Sequence, residues 1–260
     1  MIRGKYIVVL CLLSFCALGA QAKVQQRWGM NNPYSDDKLF HMGFQIGAVF
    51  SSYKVTCSEK PDSVWSKPGD TPIGRLDTLR ARVSVPGYGF RVGFITDLRL
   101  CKYLNLRFTP GMEFLTTTLH YTSASGLPVQ DKPGNYYDNM SLLALPIDLP
   151  LYLKFSAERL SNFRPYVIAG GGVSFNIFRP KNKPPMILNV TDYFVQVGFG
   201  CDLYFRWFKL CPEITYRIGF ANQLCPLTNR TDDYYTYDSF YTNSILTMTN
   251  QAICLTFNFE

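Results

Sequence analysis

Nine charged residues stand at alternate positions of otherwise apolar segments: Arg91, Arg107, Lys154, Lys209 and Arg217 against Glu113, Asp148, Asp202 and Glu213. A ring of one sign would make an ion path, and an acid beside a base would make a buried catalytic centre. Five cations against four acids nearly cancel, and no single-sign ring stands out. The set therefore reads as a salt-bridged network that satisfies charges inside a low-dielectric body. His120, close to Thr116–Thr118 and several serines, is a second candidate, since its ring could serve as a general base. Two histidines in 260 residues are easily incidental, so no catalytic residue is assigned. A third candidate is the stretch TDDYYTYDSFYTN. There Asp232, Asp233, Tyr234, Tyr235, Tyr237 and Tyr241 would give rigid amphipathic contact area, as a partner surface or as a cap.

The elements that must position these residues have a period of two, which is the signature of a β-strand. In FKLCPEITYRIGF, Phe208, Leu210, Pro212, Ile214, Tyr216, Ile218 and Phe220 share one face. Lys209, Cys211, Glu213, Thr215, Arg217 and Gly219 share the other. An apolar face with charges behind it fits a strand with lipid on one side and a polar barrel interior on the other. Seven more segments repeat the pattern. Their outward sets include Met42 to Phe50, Tyr88 to Phe94, Leu104 to Phe114 and Leu143 to Phe155. The remaining ones are Val167 to Ile177, Tyr193 to Phe205, and Ile245 with Ile253, Leu255, Phe257 and Phe259.

Connections alternate long and short. The long ones are 57–82, 122–139, 179–189 and 221–243, and the short ones lie near 97–102, 158–164 and 206–207. This is the layout of an outer-membrane barrel with short periplasmic turns. The expected fold is all-β, an eight-stranded antiparallel transmembrane β-barrel. Tyr103, Phe155, Phe163, Phe205, Trp207, Phe208 and Phe259 would form its periplasmic aromatic belt. A soluble lipocalin-type barrel would place its apolar face inward, where these strands carry charges. Pro110, Pro146, Pro150 and Pro212 fall inside strands and predict local distortion, most of all in the fourth.

The N-terminus points to the same compartment. Arg3 and Lys5, the apolar run Tyr6 to Leu18, and Ala20-Gln21-Ala22 read as a secretory signal over 1–22, too short to span a bilayer. Phe15 before Cys16 argues against a lipoprotein. Residues 23–39 are expected as a loose periplasmic lead-in and 40–260 as the barrel. The formal charge of +7 falls to +5 without Arg3 and Lys5, and it is scattered, which argues against nucleic acid as a partner. Of eight cysteines, Cys11 and Cys16 leave with the signal. Cys57, Cys101, Cys201, Cys211, Cys225 and Cys254 contain no CxxC pair, so neither a zinc knuckle nor a thioredoxin motif is present. No metal, cofactor or small-molecule substrate is expected. Two disulfides are candidates in an exported chain: Cys57–Cys225 at the outer end, and Cys211–Cys254 facing inward on neighbouring strands.

NNPYSDDKLFHMGFQIG, LPLYLKF, RPYVIAGGG and the ending LTFNFE resemble the PorT/SprT group of small outer-membrane barrels of Bacteroidetes. The resemblance covers nearly all of the chain after the signal. LPLYLKF and RPYVIAGGG are shared by many porin-like barrels. Asn32-Pro33-Tyr34, Phe40-His41-Met42-Gly43-Phe44 and Asn258-Phe259-Glu260 point more narrowly to PorT. The resemblance implies a non-enzymatic accessory role in type IX secretion and gliding motility, with outer-membrane lipid and other secretion components as partners. It carries over no catalytic residue. The rival readings are a lipid A-modifying hydrolase and a purely structural or adhesive surface barrel.

Overall fold

The computed structural model describes residues 30–33, 35–57, 79–123, 130–132, 135–136, 139–178, 187–225 and 245–260. The signal expected over 1–22 and the interaction loop expected over 231–243 both lie outside them.

Twelve strands follow one short 3-10 turn, Ser35–Asp37. They are β1 (Phe40–Cys57), β2 (Leu79–Arg99), β3 (Leu104–Phe108), β4 (Gly111–Ser123), β5 (Gln130–Lys132) and β6 (Asn135–Tyr136). Then come β7 (Asn139–Ala144), β8 (Pro146–Ser156), β9 (Phe163–Asn176), β10 (Thr191–Tyr204), β11 (Lys209–Gly219) and β12 (Ile245–Phe259). β5 and β6 pair only with each other, as a small ribbon inside a long connection. The other ten make eight staves, because β3 with β4, and β7 with β8, are interrupted single passes. Each stave pairs antiparallel with its sequence neighbours, and β12 pairs with β1 to close the ring. Closure leaves no edge, the condition for a sheet to cross lipid. Among the described residues no helix is long and apolar enough to cross a membrane.

The two interruptions sit where proline removes a ladder donor. Thr109 and Pro110 break the third stave, opposite Leu149 and Pro150 of β8, and the Thr109 amide still reaches the Pro150 carbonyl at 3.4 Å. Leu145 breaks the fourth stave just before Pro146. Pro212 faces a gap in the β10–β11 ladder at Cys201 and Asp202. Prolines on adjacent staves thus share discontinuities, so the ring closes despite them.

Alternation sorts the faces as expected in all but one respect. Met42, Phe44, Phe90, Phe94, Leu151, Val197, Phe199 and Tyr216 are exposed on the outer face, and the residues that alternate with them are buried or, at glycines such as Gly43 and Gly198, half-buried. At the short-turn end, Trp207 is 85% exposed, Phe205 stacks on Phe208 at 4.9 Å, and Phe259 stacks on Phe44 at 4.8 Å. The exception is Ile245, assigned outward by parity but only 4% exposed. The β1–β12 register shifts between Thr56 and Cys57, and Leu246 and Thr247 are exposed in succession. A bulge at that point flips the parity and turns Ile245 inward.

Strand boundaries also move, and β2 begins at Leu79, inside the connection expected over 57–82. β2 continues to Arg99, so the first short turn is 100–103. β1 runs through Cys57, and β4 runs to Ser123. In the outer half these longer strands carry apolar residues on the inner face as well. Val49, Tyr53, Leu119, Leu142, Ile245 and Met248 pack there with Leu188 and Leu224, which come from the long connections. The interior is therefore layered, apolar towards the long loops and charged towards the short turns. Electrophoresis of the folded protein should show a faster band unheated than boiled; identical mobilities would contradict a closed barrel.

Candidate functional site: an ion-paired lumen and its mouth

All nine charged residues picked out by alternation are buried inside the ring. They form two groups. The inner quartet alternates in sign: Arg91 lies 3.3 Å from Glu113 and 3.6 Å from Asp148, and Arg217 lies 2.7 Å and 2.6 Å from the same two acids. Arg91 and Glu113 are direct cross-strand neighbours on β2 and β4, whereas Arg217 reaches across the lumen from β11. The Arg217 guanidinium also lies over the Phe194 ring at 4.4 Å, a cation–π contact.

The second group fills the short-turn end. Arg107 bonds Asp97 at 2.9 Å, Glu213 at 3.2 Å and Glu260 at 2.7 Å. Lys154 is held by both Asp202 oxygens at 2.9 Å, and Lys209 pairs with Glu260. Asp97 and Glu260 add two acids that alternation could have found, and Asp192 on the inner face of β10 brings the buried acids among the described residues to seven. Asp97 follows Arg91 at even spacing on β2, once that strand is allowed to run on. Glu260 follows Cys254, Thr256 and Asn258 on the inner face of β12.

Aromatic hydroxyls and glycines complete the packing. Tyr166 donates to Glu213 at 2.9 Å, and its ring lies 4.1 Å from the Lys154 ammonium. That ring occupies the space beside Gly200 on β10, where a Cβ would stand 2.6 Å from it. Tyr152 donates to Gln196 at 2.7 Å, and Gln196 in turn donates to Thr215. Small spaces open among the described residues. One, of about 20 Å³, is lined by Tyr53, Leu115, Asp192 and Asn250 among others; the second, of about 10 Å³, lies at the short-turn mouth. Neither holds more than about one water molecule.

The lead-in is not loose over its described part. Residues 30–33 and 35–39 cross the short-turn mouth. The Asn31 amide donates to the Asn162 side chain at 2.8 Å, and the Asn32 side chain donates to the Phe205 carbonyl at 3.0 Å. His41 Nε2 bonds the Ser35 carbonyl at 2.8 Å. Outside the mouth, Tyr103 donates to Glu158 at 2.8 Å, and Lys102 stands 3.1 Å away. These two contacts hold the Glu158 carboxyl below its usual range.

His120 is placed elsewhere. It lies on the outward face of β4 with Thr116 and Thr118, registered opposite Asn139, while Thr117 points into the lumen. The structure does not bring it to the lumen charges. No disulfide joins Cys57 to Cys225 or Cys211 to Cys254. In the second case the register gives the reason. Cys211 is opposite Asn258 and Cys254 is opposite Thr215, four residues further on. That offset is about 13 Å along the strand, beyond the reach of a disulfide. Cys57 packs instead on the apolar cluster. Peptide mapping without reduction should recover Cys211 and Cys254 on separate peptides; a linked pair would contradict this register.

A family model described as an outer membrane protein beta-barrel domain matches residues 20–224. The chain belongs to this outer-membrane β-barrel family. Membership places the exposed apolar band in lipid, the short turns in the periplasm and the apolar inner layer beneath the extracellular connections. No curated protein and no solved structure matches the chain. For an outer-membrane barrel of this width, the lumen chemistry is that of a plug: buried charges held by opposite charges, with aromatic rings between them.

Proposed function

We propose that this barrel is a non-enzymatic accessory component of the type IX secretion machinery, of the PorT/SprT kind, needed for assembly or function of the translocon. The observation that carries the reading is the filled lumen. Ion pairs crossing from β11 to β4 and β8, with Arg91 of β2 bound to the same acids, leave no passage for a folded protein. A role in export is therefore exercised at the surface, by anchoring, assembling or maturing a larger conduit. The PorT-like residues support the same reading, because they gather at the periplasmic mouth. Asn31 and Asn32 dock there, Phe44 stacks on Phe259, and Glu260 binds Arg107.

A second reading, a lipid A-modifying hydrolase, draws on His120, which lies on the outward face beside Thr116 and Thr118. Deletion of the gene separates the readings. Loss of export of cargo bearing the C-terminal sorting domain, with lipid A mass spectra unchanged, is expected. Altered lipid A with normal export would favour the hydrolase. Normal export with normal lipid A would leave a structural or adhesive barrel.

A further inference from the structure

The lead-in takes a diametric course. β9 is four staves from β1 in either direction round the ring. Residues 30–33 start beside the β9 and β10 ends and residues 35–39 finish at β1, so together they strap the periplasmic mouth. Their grip is polar. Arg159 donates to the Asn31 and Asn32 carbonyls, and Asn31 Nδ2 donates to the Tyr204 carbonyl at 3.0 Å. Asp36 accepts from the Tyr204 hydroxyl at 2.6 Å and lies 3.6 Å from Arg159 and 3.4 Å from Arg164. The described strap residues belong to neither apolar cluster, and Leu39 is exposed. Asn32 also holds a left-handed backbone with φ of 46°.

The receiving side is built independently of the strap. Arg164 is fixed by the Ala157 carbonyl at 2.8 Å and the Lys102 carbonyl at 2.9 Å. Arg159 is fixed by the Ser161 carbonyl at 2.7 Å and lies over the Tyr204 ring at 3.5 Å. Two guanidiniums and a phenol hydroxyl thus converge on one carboxylate whether or not that carboxylate belongs to this chain. Preorganised donors of this kind lower the cost of binding, and a polar, solvent-facing ligand with little buried apolar area is readily exchanged.

We propose that the periplasmic mouth is a peptide-recognition site, occupied in cis by Asn31, Asn32 and Asp36. Its partner is a periplasmic polypeptide segment that presents a carboxylate together with an asparagine-bearing turn. Arg159 and Arg164 select the carboxylate, and the Tyr204 and Phe205 carbonyls select the amide donors. The site holds whichever machine the barrel serves, because it is argued from the strap and its receptor alone.

The test uses the full chain in detergent micelles and a labelled peptide of residues 30–38, MNNPYSDDK. Weakening the strap with Asn31→Ala and Asp36→Ala leaves the receptor side chains untouched. That variant should bind the peptide saturably, and the wild type about tenfold more weakly, because its own strap competes. A peptide carrying Asp36→Ala, or a receptor carrying Arg164→Gln, should lose about tenfold or more in affinity. Heat-modifiable mobility identifies the variants that remain folded. Absence of binding to the folded strap-weakened chain would overturn the proposal. So would binding indifferent to Asp36 of the peptide.

Discussion

Arg107→Ala is expected to lower folding stability by about 3–5 kcal/mol, because it strands buried acids instead of merely deleting a contact. In the wild type one guanidinium answers Asp97, Glu213 and Glu260, all buried. After its removal Asp97 keeps only Lys154, at 3.8 Å. Glu213 keeps the Tyr166 hydroxyl, and Glu260 keeps Lys209. Adding Asp97→Asn should recover part of the loss, since residues sharing one network are not additive. Urea titration of the refolded protein in detergent checks both expectations. A single substitution costing under about 0.5 kcal/mol would class Arg107 with ordinary surface positions.

Gly200→Val should cost about 2–4 kcal/mol, from overpacking and from the loss of a hydrogen bond to a carboxylate. The new side chain would enter the space filled by the Tyr166 ring and lie close to the Pro212 carbonyl, 2.7 Å from the Cβ position. Displacing Tyr166 breaks its bond to Glu213 and removes the ring from beside Lys154. The same titration measures the cost, and Tyr166→Ala provides the comparison. If the ring is what the glycine accommodates, adding Gly200→Val to Tyr166→Ala should cost much less than it does alone. Equal costs in both backgrounds would place the strain elsewhere, at the backbone contact with Pro212.

The wall of the barrel was legible because lipid and lumen make opposite demands on alternate residues. Lys209 to Gly219 needs nothing but its own pattern to be placed. Legibility ended where that contrast ends. In the outer half apolar residues stand on both faces, so Leu119, Met248 and Tyr53 were not marked as inward by any contrast with their neighbours. One bulge near Leu246 was enough to put Ile245 on the wrong face. The nine lumen charges followed from parity, while Asp97 and Glu260 lay beyond the strand ends drawn for them. Which charges meet was not legible at all. The Arg217–Glu113 pair spans the lumen between β11 and β4, and only ring closure brings them together. The strap was hidden for a different reason. Its contacts are made by Arg159, Arg164 and Tyr204, more than a hundred residues away, and polar side chains in a short loop carry no periodic signal.

The central claim is that this outer-membrane barrel is closed along its axis by its own charged side chains. Planar-bilayer recording with the purified protein tests it most directly. The account predicts no steady single-channel conductance for the wild type. Steady unitary conductance that survives repurification would contradict it, and would turn the lumen charges from a plug into the lining of a pore.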